Sequence, residues 1–158
     1  MHSDNRVRLL EIIWSAIGAT IAIALALWFA GDRTSPFLLF SLGGSTVFLF
    51  ALTDTESAQP RALFGGHLGG AVIGIFCYQI FGDGLFVSVA AVVLTMVFMI
   101  VTRTIHPPAG ANPLIMVNHH AGIFSLLQPV GAGVITLFVV AILWSRVRPG
   151  KQYPNKWW

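Results

Sequence analysis

From Ile12 to Gly31 the chain carries no Asp, Glu, Lys or Arg, and the same holds for 34–53, 62–82, 84–102 and 104–145. Runs of this length bound the fold tightly, because about 20 consecutive apolar residues are what a helix needs to cross the hydrocarbon core of a bilayer. Composition agrees: 56% of the 158 residues are hydrophobic and 9% charged, against about 45–50% and about 25% in an ordinary soluble domain. The chain is therefore expected to be an integral membrane protein forming one transmembrane domain over 1–158. Its spanning elements should be helices. In lipid each segment has to satisfy its own backbone hydrogen bonds, and these runs lack the alternation of a barrel strand.

Five long apolar segments fall at about 9–29, 36–52, 62–81, 85–101 and 125–144, and a shorter helix is expected at about 108–118. Arg6 and Arg8 ahead of the first segment imitate a secretory signal, but the run exceeds the 7–15 residues of a typical signal core, so it reads as a retained first helix. If all six segments cross, Arg6, Arg8, Arg61, Arg103, Arg146, Arg148, Lys151 and Lys156 lie on one side and only Arg33 on the other. Four crossings would give a weaker asymmetry, so the positive-inside rule favours six. The expected fold is an all-α polytopic helix bundle with two broken or short segments, both termini cytoplasmic, in a bacterial plasma (inner) membrane. About 12 residues of helix cover only about 18 Å of a roughly 30 Å core, so extended backbone near His106 has to supply the rest of the fifth crossing.

Two local matches suggest an internal repeat. Gly43-Gly44-Ser45-Thr46, an apolar stretch and Gln59-Pro60 resemble Ala109-Gly110-Ala111-Asn112, an apolar stretch and Gln128-Pro129. Each Gln-Pro pair would open a helix with proline at its first position, where its missing N–H does no harm. Repeats over 9–81 and 85–145 would hold three segments each, an odd number, and so would lie inverted in the membrane. In that 3+3 architecture broken helices meet at the midplane and form a substrate site. Coincidence is the competing account, since small residues and proline are common in membrane helices.

The residues that carry chemistry cluster at these breaks. Pro107 biases His106 away from helical backbone, and Pro107 and Pro108 prepare a helix start whose free N–H groups and positive dipole end favour an anion. Gly110 would let that anion approach the backbone, and Asn112 would donate to it. Gly44, Ser45 and Thr46 are expected to break the second segment and open a facing set of donors, or else to mark a close helix crossing. His67, within Gly65-Gly66-His67-Leu68-Gly69-Gly70, sits at membrane depth, where ionisable residues face an interior or a cavity. Arg103 is either an anion-attracting charge at the cavity mouth or an interfacial anchor. Cys77 is the single cysteine, so no intramolecular disulfide forms. No cofactor is expected, no histidine spacing supports a metal site, and the basic residues form no face for nucleic acid.

At these residues the chain resembles the HPP family of integral membrane proteins, through His106-Pro107-Pro108-Ala109-Gly110-Ala111, Gly44-Ser45-Thr46-Val47-Phe48-Leu49-Phe50-Ala51, Gln59-Pro60-Arg61 and Gly65-Gly66-His67. Asn112-Pro113 departs from the apolar residues expected after the motif. The resemblance implies a compact bundle, generally described with four membrane helices, and nitrite transport as attributed to plastid and cyanobacterial members. The expectation is a channel or transporter for a small monovalent anion, nitrite first, assembled as a homo-oligomer and not an enzyme. The rivals are a structural or regulatory module without flux, and a membrane enzyme using His67 and His106 as acid and base.

Overall fold

Residues 2–30, 36–147 and 152–157 are described by the computed structural model. Among them run six α-helices: α1 (His2–Ala30), α2 (Pro36–Phe50), α3 (Pro60–Phe81), α4 (Leu85–Thr102), α5 (Asn112–Asn118) and α6 (Ala132–Val147). Tight 3-10 turns precede α3 and α5, and a 3-10 turn followed by a wider π turn leads into α6. Residues Val7–Ala30, Pro60–Phe81, Leu85–Thr102 and Ile123–Val147 are each long and apolar enough to cross a membrane alone. Large apolar side chains point outward, Phe86 being 87% exposed and Phe124 79%, a surface that only lipid or another membrane protein can cover.

Polar contacts fix which helix ends lie together. At one end, called here the basic end, Arg61 in the first turn of α3 donates to the Thr102 carbonyl at the close of α4 (2.6 Å). Tyr153, beyond α6, donates to the Ala58 carbonyl just before α3 (2.7 Å). At the far end His120 pairs with Asp83 between α3 and α4 (3.0 Å), and Gln128 donates to the Phe29 carbonyl near the close of α1 (3.3 Å). The fifth segment therefore runs the full height of the α3/α4 hairpin, from beside Thr102 to His120. Extended residues 104–106 and the 3-10 turn Pro107–Ala111 supply what the seven residues of α5 lack.

The second segment differs from expectation. No break opens at Gly43, Gly44, Ser45 and Thr46: α2 is continuous through all four. Leaving helical backbone there would strand N–H and C=O groups that lipid cannot satisfy, whereas the glycines cost only about 1 kcal/mol each. What Gly44 provides is proximity, because a Cβ on it would lie 3.0 Å from Pro108 Cβ. Close crossing is thus the role of that glycine, and the amide-lined gap between two facing helix ends does not form.

α1 packs on α6 and α2, and α3 on α4 and α5. Small residues let the backbones approach: Ala22, Ala26 and Ala30 line the buried face of α1, and Gly74 of α3 lies against α5. A Cβ on Gly74 would come within 2.7 Å of Pro113 Cα and 2.9 Å of its carbonyl oxygen. Gly74→Ala is expected to destabilise the bundle by about 1–3 kcal/mol through overpacking, read as a lower unfolding temperature in detergent. Gly43→Ala, whose Cβ would meet nothing within 4 Å, should change little; equal melting of both variants would contradict this packing.

Candidate functional site

Where the short segments cross α3, four side chains meet away from solvent: Ser45 from α2, His67 from α3, His106 from the extended stretch and Asn112 from the start of α5, none more than 1% exposed. The Ser45 hydroxyl lies 2.8 Å from Nε2 of His67 and 2.8 Å from Nε2 of His106. It also lies 2.9 Å from the carbonyl of Ser41, one turn earlier. The two imidazole centroids are 5.1 Å apart. Two ionisable rings bridged by one hydroxyl are costly at membrane depth unless every polar atom is paired.

The pairing follows from which atoms can only accept. His106 Nδ1 is 2.6 Å from the carbonyl of Ser57. That nitrogen must carry the hydrogen, so in a neutral ring Nε2 is the acceptor. Asn112 Nδ2 is 2.9 Å from the carbonyl of His67, which fixes the orientation of the amide. Its second hydrogen is directed at His67 Nδ1, 3.1 Å away. His67 therefore accepts at Nδ1 and donates from Nε2. The result is one directed chain: Asn112 donates to His67, His67 to Ser45, Ser45 to His106, and His106 to the Ser57 carbonyl. Ser41 completes the wall by donating to the Pro108 carbonyl (3.0 Å), which ties the proline turn to α2.

Of the other expected site residues, Pro107 is exposed and shapes the backbone only. Gly110 is half-buried, with open space where a Cβ would stand. Thr46 turns its hydroxyl to the Gly43 carbonyl (2.7 Å) and stays outside the network. Arg103 is exposed in left-handed backbone at the close of α4 and does not enter the cluster. Arg61 lines a cleft with Gly65, Thr102 and Thr104, beside the backbone that carries His106. Ser41 carried a readable signal, since it precedes Ser45 by four residues and so shares its helix face. The Ser57 carbonyl had none, being backbone 49 residues away from His106.

Sequence reasoning also missed a strap over the basic end. Tyr153, 1% exposed, donates to the carbonyl of Ala58, the residue after Ser57. Gln59 accepts from the N–H groups of Asn155 (3.0 Å) and Lys156 (3.2 Å) while its amide donates to the Thr53 and Thr55 carbonyls. Burial pushes the Tyr153 phenol above its ordinary value. Its raised value gives stability that is present below the free phenol's pKa of about 10 and is lost as pH rises beyond it, because the released phenol ionises first. In alkali the strap is therefore expected to detach, read as faster proteolysis after Lys156. Tyr153→Phe, which deletes the hydroxyl bond worth about 1 kcal/mol, should abolish that pH dependence; detachment with the same alkaline profile in the variant would contradict it.

Comparison with known proteins places this arrangement. A transmembrane protein of Dictyostelium discoideum is 33% identical over 168 aligned residues, covering 99% of this chain and 54% of the relative. A second from the same organism is 30% identical over 135, covering 80% and 47%. The chain thus spans about half the length of the curated relatives it matches. No solved structure matches. The family model for the HPP transmembrane region matches residues 4–154, taking in the His-Pro-Pro turn, both bridged histidines and Tyr153 of the strap, and on that match the chain belongs to the HPP family of integral membrane proteins.

Proposed function

We propose that the bundle carries a small monovalent anion, nitrite first, across the membrane together with a proton. The observation that supports this most is the position of the Ser45 hydroxyl between two alternative acceptors, His106 Nε2 and the Ser41 carbonyl. With His106 neutral, the hydroxyl donates to its Nε2. Turned to Ser41, it leaves an oxygen lone pair facing His106, and Nε2 can then carry a second hydrogen. One rotation of one O–H thus lets the cluster hold one extra proton with every bond still made. Protonated His106 is a cation in a poorly solvated site, where a neighbouring anion is attracted far more strongly than in water.

The proton's way in is short, because His106 is bonded to the connector beneath the strap, and Arg61 in the adjoining cleft supplies a positive field for the anion. The described Lys and Arg residues Arg8, Arg61, Arg103, Arg146 and Lys156 sit at the basic end or close to it, which we therefore assign to the cytoplasm. We read the two halves as inverted repeats meeting at the cluster, and the open space beside Gly43 and Gly110 as a face for a second copy. No bond-making step is part of this reading, so the protein is taken as a carrier or channel and not an enzyme.

The test is nitrite entry into vesicles containing the purified protein against vesicles without it. Faster entry, accompanied by internal acidification, is the expected result. Equal rates for every small anion tried would remove the proposal and favour a structural or regulatory module.

A further inference from the structure

A cavity that shares no residue with the bridged histidines opens at the basic end, between α1, the close of α2, α6 and the strap. Its volume is about 420 Å³, within the range of small-molecule sites. Leu49, Phe50 and Ala141 give it a buried apolar floor. Trp14 and Trp144 stand in its wall, stacked with ring centroids 4.3 Å apart. Gly18 leaves room for the edge of the second indole: a Cβ there would collide with Nε1 of Trp144 and come within 2.8 Å of Phe50 Cδ1. The lining borders lipid and water alike. Ile12 is 65% exposed on the apolar outer face of α1, whereas Asp54 and Gln152 are exposed in the connector after α2 and in the strap.

The sign of the charges selects the occupant. The chain carries a formal net charge of +3, yet this cavity holds two carboxylates, Glu11 and Asp54, against one guanidinium, Arg8. A cationic group is favoured among them, and indole faces add to its attraction. N–H donors on that cation would bond the carboxylates directly, which a primary ammonium does and a trimethylammonium does not. Arg8 suits a phosphate, and tryptophans beside an apolar floor mark headgroup depth. Ammonium, phosphate and an apolar chain in one molecule answer all three parts of the lining. We propose that the cavity binds a zwitterionic phospholipid with a primary ammonium, its headgroup between Arg8 and the two carboxylates and its acyl chain leaving past Ile12. The strap belongs to the same site, since Tyr153 lines it and Asn155 donates to Asp54 (2.8 Å). A bound headgroup therefore holds the strap down.

The experiment titrates delipidated protein in detergent with phosphatidylethanolamine, phosphatidylcholine and phosphatidylglycerol, and counts retained lipids by native mass spectrometry. One phosphatidylethanolamine per chain, held at least fivefold more tightly than either of the others, is expected, together with slower proteolysis after Lys156 when it is bound. Glu11→Gln and Arg8→Gln should each weaken its retention at least fivefold, with thermal unfolding of each variant recorded alongside to show that it is folded. Equal or tighter retention of phosphatidylcholine or phosphatidylglycerol would overturn the inference. So would unchanged retention in both folded variants, which would place the lipid elsewhere on the bundle. Phosphoethanolamine alone, in excess, should leave the lipid in place; displacement by it would make the occupant a soluble molecule and overturn the lipid assignment. None of these readouts involves anion flux, so their failure leaves the transport reading untouched.

Discussion

Ser45→Ala is expected to slow nitrite entry at least tenfold and to lower the melting temperature of the purified protein. The argument starts from the single hydroxyl that serves both imidazoles at 2.8 Å. Without it, the His67 Nε2–H has no acceptor and His106 Nε2 no donor. A buried group left unpaired costs about 1–3 kcal/mol, so the loss should be visible in thermal unfolding as well as in flux. Ser45→Cys, with a weak donor and acceptor in the same place, should fall between the two. The flux loss is expected to exceed what the destabilisation explains, since the alanine variant has no oxygen to accept the second hydrogen of His106. Nitrite entry at the original rate in a folded Ser45→Ala protein would dismiss the cluster from transport.

His106→Gln should separate the proton-carrying role from the structural one. Glutamine keeps an amide donor for the Ser57 carbonyl but takes up no proton, so melting is expected to stay close to that of the original protein while proton entry with nitrite disappears. His106→Ala removes the ring packed against Phe48 (centroids 5.4 Å apart) as well as the bond to Ser57. Burial of a ring of this size makes a loss of about 3 kcal/mol reasonable. An internal pH dye read during a nitrite pulse distinguishes the cases: full acidification with His106→Gln would mean that the proton travels elsewhere.

Much of the scaffold was legible in the sequence because the bilayer imposes few choices. Charge-free runs marked the long helices, and the shortfall of the fifth segment correctly called for extended backbone beside His106. The Gly43–Thr46 stretch misled for a physical reason: glycine can end a helix in water, where solvent receives the freed groups, but α2 lies where nothing else would receive them. His67, His106, Ser45 and Asn112 were visible as polar residues in apolar surroundings, yet the bonds joining them were not. Those depend on the Ser57 and Ser41 carbonyls, and backbone acceptors leave no trace in residue type. The strap was hidden likewise, since Tyr153 and Asn155 look like an ordinary polar tail until α6 brings them beside Gln59.

The most direct measurement is the nitrogen-15 spectrum of histidine-labelled protein in bilayers, with His67 and His106 assigned by substitution. The directed chain predicts opposite neutral tautomers, hydrogen on Nε2 in His67 and on Nδ1 in His106, with the second hydrogen of His106 appearing when nitrite and acid are added. The same tautomer in both rings, or spectra in which neither ring responds, would contradict it.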